Sequence, residues 1–278
     1  MAATMKTIHA NGAAIPALGF GTWPLRGEAC ARIVSEGIEL GYRHVDTAQG
    51  YDNESDVGAG IAASGVPRGE IFIATKVHPD RQSDGDLQAS VEESLRKLRV
   101  DRLDLTVIHW PNPRIPVRQA IGALCDARRR GLTRHIGLSN FTIALIEEAV
   151  AAATEPLVAA QIEYHPFLDQ SKVMAALRRH GMATIAYSPL ALGRVVGEEA
   201  IEAIARAHGK SAAQVTIRWL LQQGDVVAIP KSSSRKRLRE NFEVFDFELT
   251  ATEMATMAGL SWRGLRLVNE PGWVPRWD

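Results

Sequence analysis

The chain is poor in cysteine, in net charge and in long apolar runs, and each shortage excludes something. Its 278 residues contain two cysteines, Cys30 and Cys125, far apart and with no Cys-x-x-Cys or zinc-finger spacing. That rules out a disulfide scaffold and reads as two buried thiols in a reducing compartment. Thirty-two Lys and Arg balance 32 Asp and Glu, so no bulk field draws the protein to nucleic acid or to an anionic membrane. No stretch approaches the ~18 apolar residues of a membrane span. The opening, MAATMKTIHANGAA, lacks the apolar segment of a secretory signal. Eight histidines include no His-x-His or His-x-x-x-His pair, so no metal site is expected. The expectation is a cytoplasmic monomer without nucleic-acid or membrane partners.

What is present is core-forming material. Hydrophobic residues make up 46% and charged residues 23%, enough for a large interior. KTIHANGAAIPALGF turns at Asn11-Gly12 and reads as a hairpin over about residues 6–18. A strand-then-helix pattern then recurs eight times. The strand-like segments are GFGTW (19–23), YRHVD (42–46), IFIATKV (71–77), LDLTVIHW (103–110), TRHIGLSN (133–140), LVAAQIEYH (157–165), ATIAYSPL (183–190) and VVAIPKS (226–232). They are near-continuous apolar runs, as in sheets covered on both faces, and amphipathic helical stretches separate them. No linker divides the chain. The pattern predicts one domain over residues 1–278, a single (β/α)8 barrel with the hairpin across its base and a C-terminal tail over about 260–278. A doubly wound sheet is the structural alternative.

In such a barrel the chemistry sits at the C-terminal strand ends. Those ends carry Asp46, Lys76 and His109 from three successive strands, and the loop after Asp46 adds Tyr51. Singly, each has a structural reading: Asp46 as a turn residue, Asp46–Lys76 as a rim ion pair, His109 as a core histidine. Together they suit one task. A phenol is a poor acid at neutral pH, and a neighbouring cation favours its phenolate. Lys76 is that cation, Asp46 keeps it charged, and His109 can hydrogen-bond the oxygen that Tyr51 protonates. The set polarises a carbonyl and hands it a proton. No side chain can deliver a hydride, so a cofactor is required.

DTAQGYDNE, IATKV, IHWP, IGLSNF, QIEYHP, AYSPL and IPKS with the later RLRENFEVF, in this order over about residues 6–260, resemble the aldo-keto reductases, and within them the bacterial diketogluconate-reductase-like members. The resemblance implies a (β/α)8 barrel, Tyr51 as general acid completed by Asp46, Lys76 and His109, and NADPH as cofactor. It places Thr22 beside the cofactor, Ser139, Asn140 and Gln161 on the nicotinamide carboxamide, and Tyr187 against the ring. Ser188 and Leu190 then line the pyrophosphate path. Lys231, Ser232, Ser233 and Arg237 meet the 2′-phosphate, and Glu240 and Asn241 the adenine.

The substrate, a small aldehyde, ketone or keto-sugar, is expected against Trp23 and Trp110. Trp273 and Trp277 of the tail lie either over the mouth or on the barrel exterior; aromatic walls suit apolar or sugar-ring faces. GAGIAA (58–63) imitates a dinucleotide fingerprint but falls inside a helical pattern, and Ser233-x-x-Lys236 lacks the partner motifs of serine chemistry. Two other functions remain open: a Schiff-base aldolase using Lys76, which would need a neutral amine, and an NADPH-holding regulatory module with little turnover.

Overall fold

Asn11 and Gly12 take left-handed φ values of 44° and 85°, the conformation an Asn-Gly hairpin turn requires. They join β1 (Thr7–Ala10) to antiparallel β2 (Ala13–Pro16), with Ala10 paired to Ala13. The Asn11 amide donates to the carbonyls of Leu157 and His180 at 2.7 and 2.8 Å. The hairpin thereby closes the N-terminal end of the parallel barrel. This computed structural model describes residues 6–278; the first five residues, part of the stretch expected to carry no secretory signal, lie outside the described residues.

Eight parallel strands form the barrel, each leading into helix. They are β3 (Phe20–Gly21), α1 (Gly27–Glu39), β4 (His44–Asp46), α2 (Glu54–Ala63), β5 (Phe72–Val77), α3 (Asp86–Leu98), β6 (Leu103–Ile108) and α4 (Val117–Arg129). Then come β7 (Thr133–Ser139), α5 (Ile143–Ala152), β8 (Leu157–Glu163), α6 (Ser171–Arg179), β9 (Ala183–Tyr187), α7 (Glu199–His208), α8 (Ala212–Gln222), β10 (Val226–Ala228) and α9 (Arg235–Phe242). The strands pair in sequence order from β3 to β10. Parallel bridges Leu18–Ala228 and Gly21–Lys231 return the last strand to the first. Sequential order with closure is the (β/α)8 barrel, and the doubly wound alternative is set aside.

Every residue of β5, β6 and β8 is buried, which is why these segments read as unbroken apolar runs. The first and last barrel strands are shorter than expected. At the end of β10, Pro230 has no N–H to extend the ladder, and only its carbonyl is used, by Gly21 N at 3.2 Å. The GAGIAA stretch lies in α2 and has a packing purpose. A Cβ on Gly60 would come within 2.4 Å of the Ala31 carbonyl oxygen, and one on Gly58 within 2.5 Å of that of Leu98. The glycines let α2 press against its neighbours. One further helix was not foreseen, α10 (Ala251–Gly259). It starts at a reciprocal Thr250–Glu253 capping box, a Thr-x-x-Glu signal present in the sequence. Among the described residues no helix is long and apolar enough to cross a membrane.

Candidate active site

Neighbouring strands β4 and β5 bring Asp46 and Lys76 side by side at the C-terminal mouth. Both are 2% exposed. The Lys76 ammonium donates to Asp46 Oδ2 at 2.6 Å, to the Thr47 carbonyl at 2.8 Å and to the Tyr51 hydroxyl at 3.3 Å. Tyr51 ends a 3-10 turn, Gln49–Tyr51, just past β4. Gln49 fixes that turn: its Nε2 donates to the Ser90 and Ser94 hydroxyls of α3, and its Oε1 accepts from His78 N. The next residue, Asp52, takes φ 54°, and the chain doubles back into α2. His109, immediately after β6, meets the Tyr51 ring edge to face, with centroids 5.7 Å apart. The four residues expected to act together are therefore in one cluster.

Burial governs their electrostatics. Desolvation, opposed by Lys76, raises the Tyr51 phenol above its ordinary value. This corrects the sequence-based emphasis: the cation limits the rise and does not reverse it. The phenol therefore holds its proton at neutral pH. For Lys76, burial pulls downward, but Asp46 and the remaining partners outweigh it and the ammonium ends above its ordinary value. Burial, helped by Lys76 and His78, drives His109 well below the ordinary histidine value. Its ring is neutral and can donate one hydrogen bond.

The other expected residues fall into two groups. At the barrel centre, Gln161 of β8 reaches across to β4, where its Nε2 donates to Asp46 Oδ1 at 2.6 Å. Its Oε1 is buried without a partner among the described residues. Asn140 donates to the His109 carbonyl and to Ser139 Oγ, and its Oδ1 accepts from the Tyr187 hydroxyl at 2.6 Å. Ser139, Asn140, Gln161 and Tyr187 are thus gathered beside the tetrad. Thr22 is fully buried and donates to the Asp46 carbonyl while accepting from Asn53, so its hydroxyl joins strand ends. Ser188 and Leu190 are half-buried on the loop after β9, and Ser188 has φ 47°.

Beyond β10, Ser232 is buried and its hydroxyl accepts from Ser234 N at 3.1 Å, just before α9. Arg235 is held by Glu39 at 2.9 Å. Lys231, Ser233 and Arg237 are exposed, and neither cation has an acidic partner among the described residues. Glu240 is half-buried and Asn241 buried in α9. Among the described residues, no group of three or more His, Cys, Asp or Glu side chains is placed to hold a metal ion.

The tail turns back over the mouth. Trp277 packs on Trp110 with centroids 6.1 Å apart, and Trp110 lies 6.5 Å from His109. Trp273 meets His78 at 6.5 Å and lies under the Arg114 guanidinium at 5.2 Å. Trp110 is buried, whereas Trp23 is 55% exposed.

From residue 17 to residue 261 the sequence fits the family described as the aldo/keto reductase family. The chain belongs to that family. Its relatives include methylglyoxal reductase DkgB of Escherichia coli O157:H7, 43% identical over 95% of this chain and 100% of that protein. A crystal structure provisionally described as a 2,5-diketo-D-gluconic acid reductase B superposes with a TM-score of 0.97 at 46% identity, covering 99% of this chain and 98% of that one. A Bombyx mori aldo-keto reductase, solved in complex with NADP, superposes with a TM-score of 0.90 at 32% identity, covering 98% of this chain and 97% of that one. As an aldo/keto reductase the chain is an oxidoreductase acting on the carbonyl–alcohol pair.

Several residues that shape this site were missed in the sequence. Asn53 ties Thr47, Thr22 and Leu25 together. Gln49 fixes the Tyr51 turn. Glu163 and Arg266 organise the tail. Asn53 and Gln49 stand in the DTAQGYDNE motif, but nothing in a linear pattern reveals partners 28 to 45 residues away.

Proposed function

We propose that this aldo/keto reductase reduces small aldehydes and ketones, including 2-oxoaldehydes and keto-sugars, with NADPH. The Lys76–Tyr51 contact carries the reading. A phenol kept protonated by burial stands 3.3 Å from a permanently charged ammonium. Tyr51 donates its proton to the carbonyl oxygen, and Lys76 stabilises the phenolate left behind. The neutral His109 imidazole donates a hydrogen bond to the same oxygen. NADPH, when bound, supplies the hydride to the carbonyl carbon.

The residues present suit that cofactor. The unpartnered Oε1 of Gln161 is a buried acceptor for the carboxamide NH2. Lys231 and Arg237 offer cations at the start of a helix, where a phosphate is favoured. The aldolase reading fares poorly, because Asp46 keeps Lys76 protonated and an ammonium cannot attack a carbonyl. The activities for which the relatives are named support methylglyoxal and 2,5-diketo-D-gluconic acid as first substrates to try. The test is to follow NADPH absorbance with a panel of such carbonyls. Tight NADPH binding without turnover of any of them would instead favour the regulatory-module reading.

A further inference from the structure

Glu163 is a carboxylate with an unusual set of partners. It is the last residue of β8 and is completely buried. Among the described residues no lysine or arginine bonds it. Oε1 accepts from Leu267 N at 2.7 Å and contacts His165 Nε2 at 3.0 Å, and Oε2 accepts from Val268 N at 3.0 Å. Two consecutive backbone amides of the C-terminal tail thus converge on the two oxygens of one side chain. A second bond, Leu265 N to the Phe167 carbonyl at 2.8 Å, docks the same stretch two residues earlier.

The residues after this grip make further contacts around the mouth. Arg266, between the two anchored segments, places its guanidinium 3.8 Å from the Trp277 ring centroid. Trp277 Nε1 donates to Asn269 Oδ1 at 2.9 Å, and its ring rests on Trp110. Asp278 Oδ2 accepts from Ile143 N at 2.9 Å, at the start of α5. The tail leaves beside it a cavity of about 180 Å3, lined by Asn140, Phe141, Glu163, Arg266, Trp277 and Asp278. A buried anion holding backbone N–H groups is a strong and directional anchor, because charge-assisted bonds are about twice as strong as neutral ones.

We infer that Glu163 is a positioning residue for substrate selection: it fixes the register of the tail and, through it, the Trp273 and Trp277 wall of the pocket. Resting on the carbonyl-reductase reading, the inference separates two kinds of substrate. A three-carbon carbonyl held by Tyr51 and His109 is too short to need the wall. A carbonyl bearing an aromatic ring lies against Trp110 and Trp277.

The experiment uses full-length Glu163→Gln, whose amide keeps one acceptor oxygen and turns a donor toward the second tail N–H. Amide hydrogen exchange at Leu267 and Val268 should accelerate about ten- to hundredfold, the loss of one bond to a charged group. KM for phenylglyoxal should rise about tenfold by the same reasoning, while kcat and KM for methylglyoxal stay within about twofold. Val268→Pro in the full chain removes one of the donated N–H groups without touching the barrel strand. It should shift the phenylglyoxal-to-methylglyoxal KM ratio the same way, and it decides the matter if the Glu163 variant fails to fold. Unchanged exchange, or equal losses for both aldehydes, would overturn the inference. Wild-type protein inert toward both aldehydes would instead defeat the reductase reading, and the exchange measurement would judge the anchor alone.

Discussion

Gln161 on β8 donates to Asp46 on β4 across the barrel, at 2.6 Å. This bond uses the Asp46 oxygen that Lys76 leaves free. One carboxylate is thereby fixed by an ammonium on one side and an amide on the other, and the amide's own oxygen stays available to a ligand. Gln161 thus couples the expected nicotinamide contact directly to the residues proposed to donate the proton.

Gln161→Leu should therefore damage both functions. NADPH affinity should fall because the acceptor for the carboxamide is gone. Turnover should fall because Asp46 Oδ1 is left buried and unpaired, which costs about 1–3 kcal/mol. Fluorescence titration of NADPH together with single-turnover kinetics separates the two effects. A variant with weaker NADPH binding but an unaltered chemical step would show that the Asp46 bond is dispensable.

Tyr51→Phe should lower turnover by about 10²–10⁴, the usual contribution of general acid catalysis. NADPH affinity should be nearly unchanged, since the phenol is proposed as the proton donor and not as a cofactor ligand. Lys76→Met should lose activity to a similar degree, and Asp46→Asn less, because the ammonium survives it. Steady-state rates with one aldehyde rank the three, and a fully active Lys76→Met protein contradicts the proton-donor scheme.

NADPH should be preferred over NADH through Lys231 and Arg237. Both are exposed without an acidic partner among the described residues, and no acid occurs between positions 231 and 239. A hydrogen bond to a charged group contributes about 1.5–3 kcal/mol. Arg237→Ala should then weaken NADPH about ten- to hundredfold and leave NADH almost unaffected. Parallel titrations of both cofactors check this, and equal losses would assign Arg237 a role in the fold.

Glu54 gives a prediction about stability. Its side chain is 2% exposed, Oε1 accepts from Thr75 Oγ1 at 2.6 Å, and Oε2 has no partner among the described residues. Burial raises its carboxyl above the usual 4.5, with Thr75 opposing. The folded state then holds this proton more tightly than the unfolded chain. Its contribution is complete below about 4.5 and is lost as pH rises through the raised value. Glu54→Gln should melt higher than the parent at about pH 8, by ~2–4 °C for each 1 kcal/mol in a chain of this size. The difference should vanish near pH 4. Melting curves across that range decide it, and a difference independent of pH would rule out titration of Glu54.

The barrel was legible in the linear chain. Eight apolar runs, each leading into an amphipathic helix, leave few other ways to bury two-faced strands, and the strand-end rule brought Asp46, Lys76, Tyr51 and His109 together. Asn11-Gly12 announced its own turn because turn geometry is local. The boundaries of β3 and β10 were less legible, since they depend on a ladder that Pro230, without an N–H, interrupts before the bridge at Lys231. The Thr250–Glu253 box carries the start signal of α10, yet its helix lies outside the eightfold repeat and did not stand out from it.

The long-range partners came from the folded chain. Gln161 meets Asp46 over 115 residues, and Glu163 meets Leu267 over 104; no periodicity encodes which of several buried acceptors a distant N–H will find. The state of Tyr51 was likewise open in the sequence. A cation beside a phenol lowers its pKa in solvent, but desolvation inside the barrel mouth outweighs that attraction. Whether the tryptophans of the tail face the mouth or the exterior depended on long-range anchors, among them Glu163 on Leu267 and Val268, Phe167 on Leu265 and Asp278 on Ile143, because the tail has no apolar period of its own and goes wherever it is held.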